Sequence, residues 1–158
     1  MSTTLISLAI LVHVLAAVIW VGGMFFAYMA LRPVAASLLE PPLRLQLWAK
    51  TFARFFPWVW ISVISLPVSG YYMAYQTWQS MALFPLYVHV MQGIGIVMIL
   101  IFMHVYFGPY RRLAKCVESQ DWPAGGRNLA QIRQLVGFNT ILGLALVAVA
   151  SGGRYFVL

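Results

Sequence analysis

The sequence predicts an all-α integral membrane protein: a bundle of four transmembrane helices with both termini on the periplasmic side. Three observations lead there. Of 158 residues, 63% are hydrophobic and only 8% are charged, against about 25% charged in soluble domains. Four apolar segments are long enough to cross a hydrocarbon core of ~30 Å. The basic residues lie in alternate connections between those segments.

The first span covers residues 5–31 and carries no formal charge. It is too long for a signal peptide and lacks a charged n-region, so it is expected to remain as a span. Arg32-Pro33 should end it, since proline disfavours helix at the preceding residue. Residues 33–54 form a connector in which leucines, Trp48 and Phe52 alternate with Arg44, Lys50 and Arg54. That pattern suits a short interfacial helix or an inward extension of the next span.

The second span is 55–75, with Pro57 in its first turn and a kink at Pro67 and Gly70. A brief uncharged turn leads to the third span, 82–107, which Gly108-Pro109 should stop. A polar loop, 110–133, holds Arg111, Arg112, Lys115, Arg127 and Arg133, and its Pro123-Ala124-Gly125-Gly126 run reads as a turn. The fourth span is 135–157. Together they make a single membrane domain, 1–158.

Both basic connections should face the cytoplasm, which puts the uncharged turn and both termini outside. The protein is thus expected to be a multi-pass protein of the bacterial inner membrane. Trp78, Tyr87 and Tyr155 near one face, with Trp48 and Tyr110 near the other, read as interfacial aromatics. The net charge of +7 is a topology signal, so no nucleic-acid partner is implied. The lipid bilayer is the partner the composition requires. The lone Cys116 cannot form an intramolecular disulfide.

Ionisable residues at membrane depth are functional-site candidates by default. His13 falls ~12 Å into the first span and His89 ~10 Å into the third by helix rise. The two spans run in the same direction and are diagonal in an up-down bundle. The histidines are therefore expected to lie level. Two neutral imidazoles facing each other suit the axial positions of haem b, or part of a copper site. Ala16, Ala17, Gly23 and Gly93 leave room for a flat ligand, or serve close helix packing. Arg154 is a candidate propionate partner, or a snorkelling interfacial cation. His104 lies ~22 Å beyond His89. It is a candidate second metal ligand, or a proton or quinone contact near Arg111 and Arg112.

Met24, Met73, Met91, Met98 and Met103 lie within spans. Thioether sulfur is a soft ligand for Cu(I), and methionine is also a common packing residue. Glu40, Glu118 and Asp121 are the only carboxylates, all in connections. That argues against carboxylate-based hydrolysis or a proton relay through the core. No nucleotide loop, serine-hydrolase elbow, zinc-protease helix or Cys-x-x-Cys pair is present.

The run HVLAAVIWVGGMFFAYMALRP, residues 13–33, resembles the first helix of the copper-resistance D (CopD) family. Arg133, Asn139 and the ending SGGRYF are similar to the same group. Histidine, tryptophan and paired glycines occur together, so Trp20 joins the cofactor-binding candidates. The resemblance implies a membrane protein of copper uptake or resistance. A more distant similarity is to HemJ-type protoporphyrinogen oxidases, which bind haem b and carry a first-helix histidine matching His13. Their third-helix lysine has no counterpart here, as no lysine lies in any span. Three functions are therefore expected. The first is a haem b redox protein, a membrane oxidoreductase working with a quinone or another redox protein. In it His13 and His89 are axial ligands. The second is a copper-handling protein, and the third a non-catalytic assembly subunit.

Overall fold

The computed structural model describes residues 3–153, and these fold into four long helices apolar enough to span a membrane. They are α1 (Thr3–Leu38), α2 (Pro41–Trp78), α3 (Leu86–Glu118) and α4 (Trp122–Gly152). The shortest has 31 residues, ~46 Å by helix rise, so each outruns a hydrocarbon core of ~30 Å.

The excess length lies at one end of the bundle. Arg32-Pro33 does not stop α1, and Gly108-Pro109 does not stop α3. Each proline sits in or just beyond a π-helical turn, Ala27–Leu31 in α1 and Tyr106–Tyr110 in α3. A π turn shifts the hydrogen-bond register by one residue. The ring clash and missing N–H of proline are then absorbed without breaking the helix. A third π turn, Val18–Gly22, carries Trp20.

The connector 33–54 is thus helical, mostly as the inward extension of the second span. Pro41 and Pro42 occupy the first turn of α2, and Pro57 lies inside it. Much of the expected loop 110–133 is helical too. Its chain reversal is confined to residues 119–121, where Gln120 is left-handed (φ 59°). The Pro123–Gly126 run is the start of α4, because the Asp121 carboxylate caps the helix by accepting from Ala124 N–H at 3.0 Å. At the opposite end, α2 closes on left-handed Gln79 (φ 61°), and a short 3-10 turn, Met81–Leu83, leads into α3.

The core runs along the bundle axis. Trp48, Phe52 and Phe56 form a ladder on α2 that meets Phe102, Tyr106 and Tyr110 of α3. Trp48 and Tyr110, expected at an interface, belong to this ladder. Trp48 is buried, and Tyr110 stands edge-on to Phe56 at 4.8 Å. Tyr155 lies outside the described residues. Across the diagonal, Trp20 of α1 meets Phe102 of α3 edge-on at 6.2 Å. Gly23 lets the Phe55 ring lie where a side chain would stand, so it serves close packing of α1 on α2. Arg112 fastens α3 to α4 through Asn128 and Gln131.

Candidate functional site

His13 is partly buried between α1 and α2. Its Nδ1 lies 2.9 Å from Ser69 Oγ. The Ser69 hydroxyl donates to the Ser65 and Leu66 carbonyls of its own helix. With its proton used there, Ser69 accepts from His13 Nδ1–H. This assignment leaves Nε2 as the nitrogen with the free lone pair. Metal-ligating histidines are commonly oriented by such a hydrogen bond at the other nitrogen. Gly70 makes room for the ring, since a Cβ there would sit 3.1 Å from His13 Cε1.

The other candidates fall elsewhere. His89 is exposed on α3 and tilts against Phe84, with ring centroids 5.9 Å apart. Gly93 faces open space. His104 is exposed at the basic end of α3. Trp20 is buried, at 3% exposure, against Phe102. Arg154 lies outside the described residues. A bis-imidazole haem requires both rings to face one shared volume. Here His13 is engaged with Ser69 and His89 is turned to the bundle exterior. Among the described residues, neither histidine lines the small cavity at the bundle centre or the larger one at the basic end. As placed, the two rings face different surroundings, and nothing in this arrangement supports haem binding. Among the described residues, no three His, Cys, Asp or Glu side chains converge as a metal site.

What converges at the bundle centre is softer. Asn139 of α4 is 3% exposed. Its amide donates toward Met24 Sδ of α1 at 3.7 Å and the Met98 carbonyl of α3 at 3.4 Å. The Met98 methyl and Val21 press on Gly143, one turn along α4, where a Cβ would stand 3.2 and 3.0 Å from them. Two buried thioether side chains, Met24 and Met98, thus lie on adjacent turns of the same α4 face. Asn139 Oδ1 is buried and has no hydrogen-bond partner among the described residues. Beside it is a small cavity of about 30 Å³, lined by Trp20, Met24, Phe102 and Asn139 among others. That is room for one water-sized occupant. Sequence reasoning noted Met24, Met98 and Asn139 separately but missed their convergence. The available signal was a single carboxamide inside an apolar span.

At the same end as His13, Gln92 of α3 donates to the Tyr71 hydroxyl of α2. This polar bridge ties α2 to α3 as His13–Ser69 ties α1 to α2. Neither bridge partner was singled out from sequence.

The family model for copper resistance protein D matches residues 49–152. The match starts inside α2 and takes in α3 and α4, including Met98, Asn139 and Gly143 but not His13 or Met24. No curated protein and no solved structure matches the chain, and no finding extends to the HemJ-type oxidases. The matched segment is more than half of the chain, and the four apolar helices fit a multi-pass inner-membrane protein. The chain belongs to the copper resistance protein D family.

Proposed function

We propose that the protein handles copper within the membrane, taking Cu(I) as cargo at the thioethers of Met24 and Met98. The observation that carries this reading is the placement of those two buried thioethers on adjacent turns of one α4 face, Met24 Sδ against Asn139 and the Met98 methyl against Gly143. Thioether sulfur selects Cu(I) over harder cations. A polar residue buried in an apolar span is costly and commonly marks a functional site. The unpartnered Asn139 carbonyl supplies a dipole that favours a cation nearby. His13, with Nε2 free and Nδ1 held by Ser69, offers an imidazole ligand toward the other end of α1.

The test is an anaerobic Cu(I) titration of the detergent-purified protein against a colorimetric chelator. One Cu(I) per chain is expected, lost in the Met24→Leu/Met98→Leu double variant. Unchanged binding in that variant would overturn the assignment. The haem b reading is carried by the depth matching of His13 and His89 alone. It predicts a Soret band that disappears in His13→Ala and His89→Ala, measured on the same preparation. Binding of neither metal nor haem would favour the assembly-subunit reading.

A further inference from the structure

The larger cavity has no part in the copper reading. It opens at the basic end between α1, α2 and α4 and measures about 520 Å³. Three arginines line it, Arg32, Arg44 and Arg133, one from each helix. No carboxylate among the described residues lines it. Arg32 stacks over the Tyr28 ring at 4.8 Å. Whereas Arg112 is hydrogen-bonded to α4, none of these three guanidinium groups donates to a described side chain. The wall around them is apolar and aromatic, with Trp48, Phe52 and Trp122. From the arginines the lining continues to Ala27 and Val136, toward the bundle centre.

Three converging cations above an apolar cleft, without a compensating anion, complement one kind of ligand: an amphiphile with a multiply negative head. Guanidinium groups bind phosphate oxygens in pairs. Basic pockets between transmembrane helices on the cytoplasmic side suit lipid phosphates. The Tyr28, Met29, Trp48 and Phe52 walls suit the first segments of acyl chains. We infer that this cleft is a binding site for a phospholipid carrying two headgroup phosphates, its head clamped by Arg32, Arg44 and Arg133 and its chains laid between α1 and α4.

The experiment is native mass spectrometry of the full chain in detergent, titrated with cardiolipin, phosphatidylglycerol or phosphatidylethanolamine. One cardiolipin is expected to be retained in preference to the lipids with one phosphate. Retention should fall roughly fivefold for each arginine replaced by glutamine. The R32Q/R44Q/R133Q variant should lose it. A charge-matched control outside the cleft, R111Q/K115Q/R127Q, should keep it. Inorganic phosphate at millimolar concentration should not displace the lipid. The proposal is overturned by equal retention in the cleft variant and wild type, by equal loss in the control, or by displacement with free phosphate. If the triple variant does not elute as a monodisperse species, the single variants R44Q and R133Q provide the same reading, each with a several-fold loss expected.

Discussion

His13 Nδ1 and Ser69 Oγ, 2.9 Å apart, join α1 to α2 inside an apolar span. Ser69→Ala therefore leaves a half-buried imidazole N–H without its partner. Interhelical hydrogen bonds in membranes average about 0.6 kcal/mol by double-mutant cycle, and reach about 1.7. His13→Ala and Ser69→Ala are expected to destabilise the bundle and to be non-additive by about that average. Unfolding of the detergent-solubilised variants measures the coupling. Strict additivity would mean that the pair contributes nothing.

Asn139 sits at the centre with one half of its amide unpartnered. Asn139→Leu removes a buried carbonyl that lacks a partner, and the acceptors it gives up are a thioether sulfur and a backbone carbonyl of α3, both weak losses for a helix that keeps its own hydrogen bonds. Its thermal stability is expected to equal or exceed that of wild type. Its Cu(I) affinity is expected to fall roughly 10- to 100-fold, as when an outer-shell partner of a metal site is lost. A chelator-competition titration beside a melting curve separates the two effects.

Val21 and Met98 press on α4 at Gly143. Gly143→Leu forces these side chains apart and overpacks the centre, costing about 1–3 kcal/mol. Gly93, with nothing near it, should tolerate Gly93→Leu with little change. The contrast between the two glycines, read by thermal unfolding, tests the packing described for the centre.

Trp20 and Phe102 close the diagonal between α1 and α3. Truncating either to alanine opens a cavity where neighbouring side chains are already interlocked. A loss of about 3–5 kcal/mol is expected for each, with partial rescue by Phe in place of Trp20. The same denaturation assay measures it.

The basic end is expected to face the cytoplasm. The lone Cys116 lies at that end of α3, partly accessible. A membrane-impermeant maleimide added to intact spheroplasts should leave it unlabelled, and lysis should expose it. In a Cys116→Ser background, Gln79→Cys at the opposite end should label from outside. The reverse pattern would invert the topology.

Much of the architecture was legible in the chain itself. Four spans follow from apolar length, and the gathering of nine of the ten basic residues at one end follows from their confinement to alternate connections. Those signals are local or additive, which is why they survive without coordinates. Where helices end was less legible. Pro33 and Pro109 read as stops because their effect on an α-helix is steric and local. A π turn before or around each proline relieves that clash, and no residue pattern announces it.

The candidate site was legible only in its parts. Helix rise places His13 and His89 level, but depth does not determine facing. The rotation of each helix is chosen by what its whole surface packs against. For α1 that choice turns His13 to Ser69 and Gly70, brings Trp20 to Phe102 and Met24 to Asn139. For α3 it buries Met98 and Phe102 and leaves His89 exposed. The sequence by itself determined the membrane class, the number of spans and the charge asymmetry. Only the tertiary structure decided which polar and sulfur-bearing residues meet. Helix rotation is a collective outcome of side-chain packing, and no single residue encodes it.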